Sequence, residues 1–299
     1  MAHNLSPGAA PQVVNVMTID VEDYFHVSAF DGIVSRDSWD RLESRVSTNT
    51  GRLLDIFAEQ DVRATFFVLA WVAERYPSLV RQIAAAGHEV ASHGYGHRLV
   101  YELPPHAFRE DVRRAKAVLQ DITGTAVVGY RAPSFSITKR SMWALDILLE
   151  EGYSYDSSIF PIRHDRYGIP DSPRHQYVFE RQAGPLTEVP VSTTRVGPLN
   201  LPVGGGGYFR LLPYRWTHWG ISQLNQHEMK PAVFYLHPWE IDPSQPRLTV
   251  GRIRGIRHYR NLHKTEGRLR RLLRDFSFGP MSHLLKHTPA STTPLWALS

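Results

Sequence analysis

A chain of 299 residues, 42% of them hydrophobic and 21% charged, has the make-up of an ordinary globular enzyme and is long enough for one large α/β domain. It contains no cysteine, which excludes a disulfide framework and any zinc site built on thiolates. The net charge is +5, and no apolar run approaches the ~18 residues that a membrane helix needs.

Residues 1–12 are small and polar, lack the basic and apolar regions of a signal peptide, and are expected to be disordered. With neither leader nor membrane span, a cytoplasmic location is the expectation. Residues 13–19 form an apolar, β-branched run ending at Asp20, the pattern of a buried strand that opens onto a loop. That loop carries Asp20, Glu22, Asp23 and His26. Residues 48–60 read as a helix capped by Thr48 or Asn49, and residues 63–70 as a second buried strand. A helix over 76–86 is stopped by Gly87, and a third strand over 88–92 leads into Ser-His-Gly-Tyr-Gly-His at 92–97.

The alternation continues. Residues 105–123 predict an amphipathic helix with Phe108, Val112, Ala115 and Leu119 on one side. A strand over 127–130 delivers Arg131-Ala132-Pro133, and a helix over 141–151 ends at Gly152 ahead of Asp156-Ser157-Ser158. A strand over 187–191, a helix over 212–229 and a strand over 232–236 follow, the last delivering His237-Pro238-Trp239-Glu240. Strands alternating with helices imply a parallel sheet, and the polar motifs all fall where strands end, which is where such folds carry their chemistry. His93 and His97 are two imidazoles on a glycine-containing loop, suited to a divalent metal that needs a carboxylate as a third ligand.

Taken in order, these motifs resemble the polysaccharide deacetylase family, the NodB-homology domain of carbohydrate esterases. The residues that carry the resemblance are Thr18-Ile19-Asp20-Val21-Glu22-Asp23, Ala64-Thr65-Phe66-Phe67, the 92–97 loop, Arg131-Ala132-Pro133, Asp156-Ser157-Ser158 and Leu236-His237-Pro238. They span about residues 13–240. The Asp-Val-Glu-Asp-Tyr-Phe form of the first motif and residues 204–210 (GGGGYFR) resemble the branch associated with exosortase and exopolysaccharide loci, related to peptidoglycan deacetylases.

The resemblance implies an α/β fold, a distorted (β/α) barrel with a C-terminal extension. It implies a disordered stretch at 1–12, a deacetylase domain over 13–245, a basic extension over 246–280 packed on the barrel, and a poorly ordered tail over 281–299. It implies a divalent metal, Zn²⁺ with Co²⁺ or Ni²⁺ as alternatives, held by His93, His97 and a carboxylate that is either Glu22 or Asp23. Asp20 is implied as the base, Arg131 as the residue that holds it, His237 as the acid and Asp156 as the partner of His237. Pro133 and Ser134 are implied near an oxyanion hole, Leu236 beside an acetyl pocket, and Trp239, Tyr208 and Arg210 against the sugar.

The activity so implied is removal of N-acetyl groups from N-acetylhexosamine units of a bacterial polysaccharide or its precursor. Two other readings stand beside it: a cyclic amide hydrolase of the allantoinase kind, and a catalytically silent carbohydrate-binding protein on the same scaffold. The basic segment 252–274, with nine Lys or Arg and one acid, lacks any base-stacking motif and so does not indicate a nucleic-acid binder. A solvated helix face, a grip on an acidic polymer, or contacts between copies of the chain are the readings it leaves open.

Overall fold

The computed structural model describes residues 13–27 and 30–293. The expected disorder of 1–12 and the end of the expected tail, 294–299, lie outside them. The strand β1 (Asn15–Val21) is buried along its whole length and sets the geometry of the rest. Its residues alternate between two apolar environments. Met17, Ile19 and Val21 pack into the large core under the helices. Val16 instead joins Phe67, Ala91, Tyr155, Val189 and Val233 on the opposite face of the sheet. A strand clothed on both sides is what a near-continuous apolar run predicts.

The chain then runs α1 (Val46–Glu59), β2 (Thr65–Val68), α2 (Ala70–Arg75), α3 (Pro77–Ala85), β3 (Glu89–Ser92) and α4 (Pro105–Thr123). It continues through β4 (Gly129–Tyr130), α5 (Trp143–Glu150), β5 (Tyr155–Asp156), β6 (Tyr177–Arg181), β7 (Gly184–Glu188), β8 (Thr193–Val196) and β9 (Leu199–Pro202). The last part comprises α6 (Gly206–Leu211), α7 (Tyr214–Ser222), β10 (Val233–Leu236), α8 (Arg252–Tyr259), α9 (Leu262–Asp275), β11 (Phe278–Gly279), α10 (Met281–His287) and β12 (Ser291–Thr293). The helix α4 matches its expected bounds because its signals are local: Pro105 opens it, and Gly124 closes it in the left-handed region at φ 66°.

The main sheet has the order β10-β1-β2-β3-β4-β5-β7-β6-β12, with β11 also on β1. The strands from β10 to β7 are parallel, and only the β6–β7 hairpin is antiparallel. Among the described residues no ladder joins β7 to β10. Irregular bonds cross that gap: Ser192 N donates to Val233 O (3.2 Å), and Val233 N donates to Ser192 Oγ (2.7 Å). The mixed α/β fold with its parallel sheet agrees with the distorted barrel type that the resemblance implies, and single contacts rather than a ladder bridge β7 and β10.

Two expectations need correction here. Neither Thr48 nor Asn49 caps α1, which begins at Val46; Asn49 is buried and donates to Asp242 Oδ2 (3.1 Å). Residues 281–293, expected in a loose tail, carry α10 and β12, and Met281 and Leu284 are buried against the inner face. The stretch 204–210 forms an isolated bridge from Gly205 to Tyr235 followed by α6. Gly205 has φ 120°, and a Cβ there would lie 2.0 Å from Tyr235 O, so only glycine allows this approach.

Candidate metal centre and active site

Parallel strands bring their C-terminal ends to one rim. Asp20 and Glu22 come from the end of β1, His93 and His97 from the loop after β3, Arg131 from the end of β4, and His237 from the end of β10. All six are buried or nearly so.

Glu22, His93 and His97 place one ligand atom each within 4.8 Å of one another. Glu22 Oε2 lies 2.6 Å from His97 Nε2 and 4.0 Å from His93 Nε2. That oxygen is fully enclosed, yet it receives no properly directed hydrogen bond. A buried carboxylate oxygen without a hydrogen-bond donor, set between two imidazole nitrogens, is a donor set that fits a divalent metal. His93 is oriented from behind: its Nδ1 donates to Arg131 O (2.9 Å), which frees Nε2 to face the carboxylate. Burial pushes His93 down to about 4, so it is neutral and able to ligate near pH 7. Burial works against the charge of Glu22, but His97, His237 and His93 hold its carboxyl well below the usual range.

Asp23 does not join them. Its Oδ1 accepts from Tyr24 N (3.0 Å), and its Oδ2 accepts from Ser44 Oγ (2.7 Å), Arg45 N (2.8 Å) and Val46 N (3.1 Å). Asp23 thus caps the N-terminus of α1, where a carboxylate suits the exposed amides. Its four donors commit it to the start of α1, and it does not belong to the group formed by Glu22, His93 and His97. His26 lies nearby, its Nδ1 accepting from Asp23 N (2.9 Å) among Phe25, Trp39 and Trp71.

The histidine loop is held by Asp111 of α4, which accepts from Tyr95 N (2.8 Å) and Gly96 N (3.3 Å). Gly94 sits at φ 73°, and a Cβ there would lie 2.8 Å from Asp111 Oδ2. His97 itself has φ 48°, an uncommon conformation for a side-chain-bearing residue. Gly94→Ala should therefore displace the loop and lower Zn²⁺ affinity by ten- to a hundredfold, the range seen when ligand-orienting contacts are lost. Titration calorimetry on the folded variant checks this, and an unchanged affinity would show that the loop is not held as described.

Arg131 is fully buried and donates from Nη1 to Asp20 Oδ1 (2.7 Å) and Thr18 Oγ1 (2.8 Å). It also donates from Nε to Ser157 O (3.1 Å) and from Nη2 to Ser157 Oγ (2.9 Å), and its guanidinium lies 4.1 Å from the Phe67 ring centre. Asp20 is left with Oδ2 facing His237 Nε2 at 3.9 Å. His237 Nε2 is also 3.5 Å from Glu22 Oε1, while Nδ1 donates to Glu240 Oε1 (2.7 Å). Burial opposes the charged imidazole, but Glu22, Glu240 and Asp20 outweigh it and raise His237 to about 9.

The expected partner of His237, Asp156, is engaged elsewhere. It accepts from Ser158 Oγ (2.5 Å) and stands opposite Glu188 across β5 and β7. Glu240 takes that place, and Arg210 Nε in turn donates to Glu240 Oε2 (2.5 Å). Burial opposes the Glu240 charge, but Arg210 and His237 hold it down to about 2. Glu240 is three residues beyond His237, the spacing of a reciprocal helix-start cap, and that was the sequence signal for it.

Arg210 cannot reach a sugar. It is buried, and its Nη1 donates to the carbonyls of Arg257 (3.0 Å), His258 (2.7 Å) and Arg260 (3.3 Å). Trp239 has no open face for a sugar either. It is 5% exposed, lies nearly parallel to His237 and His258 at 5.2 and 4.4 Å, and directs Nε1 to Glu22 Oε1 (3.4 Å). Leu236 points outward into the helix-covered core, paired in register with Ile19, so Tyr235 is the residue of β10 that faces inward. Tyr208 is half-buried and packs on the inner aromatic group of Phe135, Phe160 and Tyr235. Pro133 is buried, and Ser134 and Phe135 follow it with φ 52° each, a strained turn directly after Arg131.

Residues 33–153 match the family model for polysaccharide deacetylases, and residues 157–286 match a domain of unknown function, DUF3473. A peptidoglycan deacetylase of Helicobacter pylori is 30% identical over 36% of this chain and 36% of its own. A chitooligosaccharide deacetylase of Rhizobium leguminosarum bv. trifolii is 31% identical over 33% and 43%. The chain therefore spans less than half the length of the curated relatives it matches. The crystal structure of a provisionally identified polysaccharide deacetylase from Mycobacterium smegmatis covers 97% of both chains with a TM-score of 0.62 at 22% identity. A probable polysaccharide deacetylase from Pseudomonas aeruginosa PAO1 covers 95% of this chain and 88% of its own, with a TM-score of 0.56 at 16% identity. His93, His97 and Arg131 lie in the first matched region, whereas Arg210, His237 and Glu240 lie in the second.

Proposed function

We propose that this chain, which matches the polysaccharide deacetylase family model over residues 33–153, is a metal-dependent hydrolase removing N-acetyl groups from N-acetylhexosamine units of a bacterial polysaccharide or its precursor. The observation that carries this reading is the meeting, on one rim, of three enclosed ligand atoms with an arginine-held carboxylate and a carboxylate-held imidazole.

A divalent ion, Zn²⁺ by the donor set and Co²⁺ or Ni²⁺ by the same chemistry, would be held by Glu22, His93 and His97. When bound it would polarise the amide carbonyl and acidify water. Asp20, fixed by Arg131, takes the proton of the attacking water through Oδ2. His237, kept protonated by Glu240, gives a proton from Nε2 to the departing sugar amine. The acid and base face each other at 3.9 Å before substrate enters, so the reacting carbon must come between or beside them. Tyr235, whose ring centre lies 5.7 Å from that of His237, is an inward aromatic group beside this rim.

On this reading the expected boundary at residue 245 is replaced. Both matched regions form one catalytic unit, because the second contributes β7 and β10 to the same sheet along with the acid and its partners.

The test is acetate release from N-acetylglucosamine oligomers and from peptidoglycan, with and without prior chelation. Release that chelator abolishes and added Zn²⁺ or Co²⁺ restores is the expected result. Hydrolysis of allantoin without acetate release would replace the reading with the cyclic amide one. Glycan binding with neither activity would leave a silent binder.

A further inference from the structure

The basic run of the sequence divides into two parts with different fates. In α9, Arg268, Arg270 and Arg271 are engaged by the protein itself. Arg268 Nη1 donates to the carbonyls of Phe209, Arg210 and Leu212, and Arg270 pairs with Glu59 and Glu266. The preceding helix is different. From residue 243 to residue 265 there is no acid, and six Lys or Arg lie between. Within α8, Arg252, Arg254 and Arg257 are exposed and enter no ion pair among the described residues. Between them stand Ile253 and Ile256, one turn apart, 70% and 56% exposed. The opposite side of the same helix is fixed. His258 is buried against Trp239 and bonds Gln245 Oε1 (2.8 Å), and the carbonyls of Arg257 and His258 are held by Arg210.

We propose that the outer face of α8 docks on an anionic lipid surface. Two isoleucines one turn apart, both more than half exposed, make an apolar strip within a basic face that a helix turned only to water does not need. An acidic polymer would occupy the arginines and leave the isoleucines in water. A second copy of the chain meeting this face by two-fold symmetry would set arginines against arginines with no acid in the segment to relieve them. The headgroup layer of an anionic bilayer takes both kinds of side chain at once: isoleucines at the boundary with the acyl chains, arginines on the phosphates.

The placement matters for the site. The anchored side of α8 rests on Trp239, which stacks on His237, so a membrane held by α8 lies beside the active rim. Docking by itself does not depend on the deacetylase reading. Joined to that reading, it selects glycans attached to a lipid carrier as the substrate class.

The experiment is co-sedimentation of the full chain with vesicles of phosphatidylcholine alone or with 30% phosphatidylglycerol. The expected result is at least tenfold stronger partition onto the anionic vesicles, weakened about tenfold by 0.5 M NaCl. Ile253→Ser with Ile256→Ser should lower binding about tenfold and Ile253→Trp should preserve or strengthen it, while reversal of Arg252, Arg254 and Arg257 to Glu should abolish it. These positions are exposed, and circular dichroism and thermal melts check that each variant folds. Wild type left in the supernatant with anionic vesicles at low salt overturns the proposal, as does binding indifferent to the isoleucines. Capture by an acidic polysaccharide without vesicle binding overturns it too. Because no activity is read, failure here is distinguishable from failure of the deacetylase reading.

Discussion

Asp20→Asn is expected to lower kcat for acetate release by about a thousandfold, within the ~10²–10⁴ that a positioned acid–base group supplies, with metal content unchanged. Asparagine keeps the shape of the side chain and can still accept from Arg131, but it cannot take a proton from water. The same substitution also unbalances the interior. Arg131 is fully buried, and Asp20 is its only ion-pair partner among the described residues. Removing one partner of such a pair costs about 3–5 kcal/mol when the other charge is left unmatched. The remaining bonds of Arg131 to Thr18 and Ser157 soften that loss.

A fall in activity alone would therefore not separate a chemical role from a structural one. The double variant Asp20→Asn with Arg131→Met does. Removing both charges should recover much of the stability in urea denaturation while the activity stays lost. Activity that returned together with stability would sink the assignment of Asp20 as base and leave it as a structural counter-ion.

Much of this was legible because the motifs are local and strand-linked. The buried run at β1, the apolar run at β2 and the helix α4 carry their own periodicity and end signals, and parallel order then gathers the ends of β1, β3, β4 and β10 on one rim. The rest depends on contacts that chain order does not encode. Two carboxylates one residue apart, Glu22 and Asp23, look alike as ligands until the loop turns one of them toward the amides of α1. Asp156 and Glu240 are both acids near a strand end, and only the packing of β7 beside β5 turns Asp156 away from His237. Arg210 and Trp239 read as surface groups on glycine- and proline-flanked segments, yet α8 and α9 close over them. The hairpin β8–β9 is largely exposed or half-buried, and β11 and β12 span only two and three residues, so no pattern emerges for them.

The packing that turned Asp156 away also creates the second large expected effect, a loss of stability with rising pH. Asp156 and Glu188 are neighbours on β5 and β7, both wholly buried. Facing them are Tyr177 from β6, Tyr130 from β4 and the guanidinium of Arg131, whose positive charge already belongs to Asp20. Asp156 Oδ2 and Glu188 Oε2 meet no donor from the rest of the protein, so a proton held between the two carboxyls is what satisfies them. Burial pushes Asp156 up to about 6, and burial together with the Asp156 charge pushes Glu188 well above the usual carboxylate range.

Both folded values are raised, so the native state holds protons that the unfolded chain releases near pH 4. The stabilisation is complete below that pH and is lost as pH rises through about 6 and beyond. For Asp156 alone this is on the order of 3 kcal/mol at ~1.4 kcal/mol per pH unit. His93, lowered to about 4, works in the opposite direction between pH 4 and 6.5, so the slope of the wild type is a sum. The difference from Glu188→Gln isolates the pair, because glutamine keeps the bond from Ile159 N and removes the shared proton. Urea denaturation in chelator at pH 5, 7 and 9 should show this variant gaining on the wild type as pH rises, and overtaking it by pH 9. Parallel stability curves for the two proteins would mean that the carboxyls do not share a proton, and that Arg131 neutralises both Asp20 and this pair.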